Sequence, residues 1–210
     1  MLKRYLPVAS IATALLAVGA VGAIADRDES NPPGAAQPQI AEIEAEAKQA
    51  MGVLRQRRTA GDALRDDLAV RMDRRASFGL NPALSRLAIK NATHSIYVIP
   101  ARGHVCVAFT DPVGAGLICP STNDVAKGNS SPATAALETG GVAIFGVVPD
   151  GVDSVSVQTR ASESIEVTTE RNAYYTVVPS GTPLRTVSYV GPSGPVEFPI
   201  SDPRLVMEQE

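Results

Sequence analysis

Short apolar runs with a period of two fill the chain from Asn81 onward, and this pattern constrains the fold more than any other feature. Val155 and Val157 are one example: residues two apart on a strand share a sheet face. Pro and Gly separate the runs. The runs lie at 95–99, 105–109, 116–119, 142–148, 154–158, 164–168, 174–178, 184–190 and 196–200. About eight strands at such spacing predict a mainly β domain over 81–200, a small antiparallel β-sandwich or open barrel.

Turn residues and aromatics refine this prediction. Pro149-Asp150-Gly151 joins a fixed φ to a residue that accepts positive φ, which predicts a tight turn. The segment 191–195 predicts a closing hairpin.

Aromatic residues make up only 4% of the chain, so Val, Ile, Leu and Ala must fill the core. In the doublet Tyr174-Tyr175 one ring is expected to face the core and the other solvent, where it is a candidate for stacking on a ligand.

Residues 1–25 have the form of an export segment. Lys3 and Arg4 precede an uncharged stretch at 5–25, and basic residues before an apolar run hold the N-terminus in the cytoplasm. About 20 residues can span a bilayer, so one interpretation is an uncleaved membrane anchor that contacts the membrane through 5–25. The other is a signal peptide cleaved after Ala23-Ile24-Ala25. Both place the rest of the chain outside the cytoplasm, either secreted or anchored to the cell membrane.

Two segments separate the export segment from the β-domain. Pro-rich, polar residues at 26–38 predict a flexible spacer. Residues 39–80 predict a charged amphipathic helical segment, because apolar residues recur there at steps of three and four. Its apolar stripe consists of Ile40, Ile43, Ala47, Met51 and Leu54. The stripe predicts packing on the downstream domain or self-association with another copy through 39–75, and residues 201–210 are expected to form a polar tail.

Charge and motif content exclude several classes of function. The chain carries 19 basic and 22 acidic residues, a net charge of -3, so it has no basic field to hold nucleic acid. Neither Cys-x-x-Cys nor His-Glu-x-x-His is present, and no Walker loop, Gly-x-Ser-x-Gly or dinucleotide fingerprint occurs. The sequence therefore assigns no catalytic residues, no metal ligands and no cofactor.

Cys106 and Cys119 are the most informative pair in the sequence. They lie 13 positions apart on two strands that their connection would fold antiparallel, and such pairs usually oxidise outside the cytoplasm. A structural disulfide is the first interpretation. A second makes Cys106 a nucleophile paired with His104, two positions away on one strand face. A third is a redox-active disulfide.

Histidine offers one further candidate site. His94 is predicted to begin a strand at a sheet edge, and His104 follows a hairpin turn centred on Ala101-Arg102-Gly103. If the two met across that hairpin, Asp111 or Asp124 would complete a possible set of metal ligands.

Three stretches of the chain resemble a group of uncharacterised exported proteins from high-GC Gram-positive bacteria. They are Gly52-Val53-Leu54-Arg55 with Ala60-Gly61-Asp62-Ala63-Leu64, Tyr97-Val98-Ile99-Pro100-Ala101-Arg102-Gly103-His104-Val105-Cys106, and Gly146-Val147-Val148-Pro149-Asp150-Gly151-Val152. The resemblance covers most of residues 52–178. It implies export and supports the pairing of Cys106 with Cys119. The group has no assigned activity, so the resemblance supplies no site residues.

These observations predict an exported cell-envelope protein that is a non-enzymatic binding or structural module. Neither its ligand nor its partner can be read from the sequence. The alternative is an envelope hydrolase whose site would use His94, His104 or Cys106.

Overall fold

The computed structural model describes residues 36–65, 68–69, 79–111, 115–138, 140–159, 163–179, 181–200 and Pro203. The predicted export segment, most of the spacer and nearly all of the tail at 201–210 lie outside the described residues. Within them, no helix has the length and apolar character that a membrane span requires.

The described part of the chain consists mainly of eleven strands and three helices of 15, 4 and 6 residues. The helices are α1 (Ala36–Ala50), α2 (Gly52–Arg55) and α3 (Thr122–Lys127), with 3-10 turns at Ala60–Asp62 and Pro82–Leu84. The strands are β1 (Arg86–Lys90), β2 (Ser95–Ala101), β3 (His104–Thr110), β4 (Ala115–Ile118), β5 (Ala133–Ala136), β6 (Val142–Val147), β7 (Ser154–Thr159), β8 (Ser164–Thr168), β9 (Ala173–Val178), β10 (Leu184–Gly191) and β11 (Gly194–Pro199).

The strands form three antiparallel sheets. Sheet A has the order β1-β2-β3-β4, sheet B the order β5-β6-β9, and sheet C the order β11-β10-β7-β8. The mainly β, antiparallel prediction is confirmed, and the described residues form no closed barrel. Every predicted run is a strand. Sequence reasoning missed β1, which is flanked by charges, and β5, whose alanines have low β-propensity.

Sheet B lies between the other two sheets, as the burial of β6 shows. Ala143, Phe145 and Val147 belong to one hydrophobic cluster, which they share with sheet A. Val142 and Ile144 belong to a second cluster, shared with sheet C. Because both faces of β6 are covered, its sequence is apolar throughout and does not alternate.

The helical segment packs on the sheets. Ala47, Met51 and Leu54 are buried in the cluster between sheets A and B, so the strands cover this part of the predicted apolar stripe, whereas Ile40 at its start is 42% exposed. The helical segment is interrupted earlier than the sequence pattern suggests. α1 ends at Ala50, α2 covers Gly52–Arg55, and residues 56–59 form no helix before the 3-10 turn Ala60–Asp62.

Candidate functional site

The outer face of sheet C carries a row of polar side chains. In β7, Val155 and Val157 are buried against sheet B, and Ser154 and Ser156 therefore point to the opposite face. The register places Glu166 opposite Ser156, Ser156 opposite Ser188, and Ser188 opposite Glu197. A straight row of two hydroxyls flanked by two carboxylates thus crosses all four strands, spanning about 14 Å at ~4.8 Å per strand.

A groove of about 740 Å³ runs over this row. The turn after β6 forms one wall, and the β10–β11 hairpin forms another. The lining residues are Gly151, Val152, Asp153, Ser154, Ser156, Glu166, Ser188, Tyr189, Val190, Pro195, Val196 and Glu197. This volume lies within the range of about 300–1,000 Å³ that is usual for small-molecule sites.

The groove lining is acidic. This lining, all within the described residues, offers three carboxylates and three serine hydroxyls but no Lys, Arg or His. Ionised carboxylates only accept hydrogen bonds. Ser154 donates one to Glu166, with 3.3 Å between oxygens. Val190 is 72% exposed at the edge, which adds an apolar surface beside the polar floor.

A second, smaller cavity of about 190 Å³ opens between the β3–β4 and β5–β6 connections. Phe109 and Leu137 contribute apolar surface, and Asp111 and Glu138 contribute carboxylates. The cavity is smaller than most ligand sites. We therefore regard the groove on sheet C as the better candidate.

The two cysteines form the expected disulfide. Cys106 and Cys119 are bonded with an S–S distance of 2.02 Å, and the described residues include no free cysteine. Cys106 is fully buried. In this oxidised form it has no thiol to act as a nucleophile with His104. The His104 ring donates instead from Nδ1 to the carbonyl of Arg102, at 2.8 Å.

The structure does not bring the two histidines together. His104 pairs with Ala101 beside the turn, whereas Ser95 pairs with Thr110 at the far end of the hairpin, so His94 and His104 are separated by roughly 20 Å at ~3.3 Å per residue. Positions 94 and 104 are not symmetric about the turn at Arg102-Gly103, so this hairpin does not pair them. Among the residues that the structure describes, no cluster of three His, Cys, Asp or Glu side chains fits a metal ion.

The two aspartates of the hypothetical metal site are also apart. Asp124 lies in the first turn of α3, where its carboxylate accepts a hydrogen bond from the Ser121 hydroxyl and its N–H donates one back. This reciprocal pair is a helix cap. Asp111 follows β3, close enough for its charge to act on His94.

His94 belongs to an aromatic cluster. Its ring centroid is 3.7 Å from that of Tyr175, and Tyr175 is stacked on Phe109 with 5.4 Å between centroids. Burial lowers the pKa of His94, although the charge of Asp111 opposes this effect. Burial and the same charge raise the pKa of Tyr175 to about 12.

The Tyr174-Tyr175 doublet does not offer the stacking surface expected from the sequence. Tyr174 is fully buried between sheets B and C, and Tyr175 is half-buried with its ring engaged by His94 and Phe109. Both rings are covered because β9 belongs to the central sheet.

Sequence reasoning did not identify the groove. The signal was present in the residues that alternate with the buried valines, namely Ser154, Ser156, Glu166, Ser188 and Glu197. Alternation shows which face of its own strand each residue occupies, but only the register of four strands places them in one row.

Comparison of the chain with protein families, curated proteins and solved structures found no match. Arguments about function therefore depend on the chemistry of the groove.

Proposed function

We propose that this is an exported cell-envelope protein and a non-enzymatic binding module, and that the groove on sheet C is its binding surface. The observation that carries the proposal is the row from Glu166 to Glu197, which lies open to solvent across four strands. The export-type N-terminus and the disulfide support the location, since disulfides persist in oxidising compartments.

The lining favours an uncharged ligand rich in hydroxyl groups, such as an oligosaccharide chain. Hydroxyl groups donate hydrogen bonds to carboxylates and exchange them with serines, and the C–H faces of a sugar can pack on Val190 and Pro195. Three carboxylates in a described lining that contains no Lys, Arg or His repel anionic polymers. A neutral glycan thus fits both the polar floor and the apolar edge.

The hydrolase alternative has less support. Its three residues do not form a constellation, because His94 and His104 lie at opposite ends of one hairpin and Cys106 is bonded to Cys119. No observation favours it over binding.

The binding proposal is tested with protein recovered from a bacterial host, by following backbone amide NMR shifts during titration. The probes are neutral oligosaccharides of the chito-, cello- and malto- series, a polygalacturonate fragment and oligolysine. We expect a neutral oligosaccharide to shift the amide resonances of groove residues and polygalacturonate to shift none of them. If no oligosaccharide perturbs the groove, or if oligolysine alone does so, the glycan proposal is wrong.

Matched variants locate the site. Glu197→Gln in the groove should weaken oligosaccharide binding by about tenfold, as expected when a hydrogen bond to a charged group becomes a neutral one. Glu163→Gln removes the same charge from an exposed position outside the groove lining, and it should leave affinity unchanged. Equal effects of the two variants would show that binding depends on overall charge.

Export is tested separately by intact mass. A mass that lacks residues 1–25 indicates a cleaved signal peptide, and a full-length mass in the membrane fraction indicates an anchor. Full-length protein in the cytosol would contradict export.

A further inference from the structure

The short helix α2 has no cap of its own. Met51, the residue before it, makes no side-chain capping bond. The first two N–H groups of the helix instead donate to side chains about a hundred residues downstream. Gly52 donates to Asp150 Oδ1 at 2.6 Å, and Val53 donates to Asn172 Oδ1 at 2.9 Å. Two turns of the β-domain therefore satisfy two of the four N–H groups that a helix leaves unpaired at its start.

Asp150 is the centre of this contact. Besides the bond from Gly52, its carboxylate accepts hydrogen bonds from the Arg55 guanidinium and from Asn172 Nδ2, the latter at 2.8 Å. Burial opposes ionisation of Asp150, but the bonds from Arg55, Asn172 and Gly52 outweigh it and lower the pKa. The side chain is therefore held as a carboxylate between α2 and the β8–β9 turn.

Asp150 is also adjacent to the wall of the groove. The next three residues, Gly151, Val152 and Asp153, line it. Gly151 has φ +83, a conformation that favours glycine, so the chain turns sharply between the held carboxylate and the lining. Asp150 is joined directly to this lining segment, which we call the 151–153 wall.

Gly52 shows how closely the two parts approach. A Cβ at this position would lie 2.7 Å from Asp150 Oδ1 and 3.2 Å from the Arg55 guanidinium. Any larger residue must displace the carboxylate, so the glycine permits the contact. This explains a glycine at the first position of a helix, where glycine is otherwise unfavourable.

We propose that Arg55 and Asp150 are positioning residues for the groove, and that docking of α2 and occupancy of the groove are coupled through the 151–153 wall. The ligand half of this inference rests on the proposed function, whereas the coupling of α2 to the wall does not. Because coupling between two sites is reciprocal, a ligand in the groove should also tighten the bonds at the start of α2.

Hydrogen–deuterium exchange of the whole protein tests the coupling of α2 to the 151–153 wall without a ligand. Arg55→Gln should speed exchange of the amides at 151–153, and of Gly52 and Val53, by roughly two- to fivefold, the factor expected for loss of one exposed ion pair. Arg57→Gln removes an exposed arginine from the same segment and should leave the exchange rates of both sets of amides unchanged. Unchanged exchange at 151–153 in folded Arg55→Gln overturns the coupling of α2 to the wall.

The coupling of ligand binding to α2 is tested with the neutral oligosaccharide that causes the largest amide shifts in the groove. Saturating the groove with this oligosaccharide should slow exchange of the Gly52 and Val53 amides in the wild type and in Arg57→Gln. The effect should be lost in Arg55→Gln. A protein that binds the oligosaccharide without slowing these amides contradicts the reciprocal coupling. If no oligosaccharide binds while Arg55→Gln still loosens the wall, the ligand proposal fails and the positioning role stands.

Discussion

Asp62 and Arg171 lie 109 residues apart in the chain and form an ion pair, with 3.3 Å between Oδ1 and Nη1. Asp62 is only 1% exposed and also accepts hydrogen bonds from the backbone N–H groups of Thr59 and Leu87. Arg171 donates as well to the Leu87 carbonyl. The buried charge is thus paired and hydrogen-bonded, as a charge inside a protein must be. The contact fixes the turn Ala60–Asp62 against β1 and the β8–β9 turn.

Asp62→Asn should destabilise the protein strongly. An asparagine cannot carry the charge that Arg171 needs, and it turns an NH₂ group toward groups that themselves donate. We expect the free energy of unfolding in urea to fall by about 3 kcal/mol, typical of removing one partner of a buried pair. The control is Asp153→Asn, an exposed position, which should stay within about 0.5 kcal/mol of wild type. Equal losses in the two variants would show that the ion pair adds no stability.

The effect of Asp62→Asn should depend on pH. Burial alone would raise the pKa of Asp62, but hydrogen bonds from Thr59 and Leu87 and the charge of Arg171 outweigh it and lower the pKa. Such a carboxyl contributes stability that is complete above its unfolded pKa of about 3.9 and is lost as the pH falls through the folded pKa. The stability difference between wild type and Asp62→Asn should therefore shrink below about pH 4. A constant difference down to about pH 2 would contradict this account.

The strands could be predicted because their information is local. Val155 and Val157 alternate with serines, and the Pro149-Asp150-Gly151 turn needs only the geometry of its own residues. The apolar run of β6 predicts a strand, but its burial on both faces follows from a third sheet. A pair of residues two apart reveals which side of a strand is apolar, and it does not reveal how many sheets will stack on that side.

The contacts that hold the helical segment could not be predicted. Gly52 meets Asp150, and Asp62 meets Arg171, at separations near a hundred residues, and no periodicity relates such positions. Arg171 and Asn172 both have positive φ, a strained backbone for arginine that the sequence alone gives no reason to expect. The groove could not be predicted for the same reason. Glu166 and Glu197 lie in one row only because four strands pair in this register.

Two buried tyrosines on facing sheets provide an internally matched test of hydrogen bonding. Tyr189 donates from its hydroxyl to the Gly128 carbonyl at 2.9 Å, whereas among the described residues the Tyr174 hydroxyl has no partner. Tyr189→Phe should cost about 1–2 kcal/mol, because it also leaves a buried carbonyl unpaired. Tyr174→Phe removes a group that is buried without compensation, so stability should be unchanged or rise by about 1 kcal/mol. Urea unfolding measures both, and an equal loss would mean that a buried water bonds Tyr174.

Reduction of the Cys106–Cys119 bond should weaken the domain without abolishing its β3–β4 pairing. Backbone hydrogen bonds flank the bridge, including one from the Val105 N–H to the Pro120 carbonyl at 3.0 Å, and they do not depend on the sulfur atoms. The bond closes a loop across 13 positions, and opening such a loop frees the unfolded chain at a cost to stability of about 3 kcal/mol. Urea unfolding of one preparation, with and without reductant, isolates this effect because the core keeps its volume. The double variant Cys106→Ala/Cys119→Ala controls for the reductant, which should not change its stability. A wild type equally stable in both forms would show that residual contacts already restrict the loop in the unfolded, reduced chain.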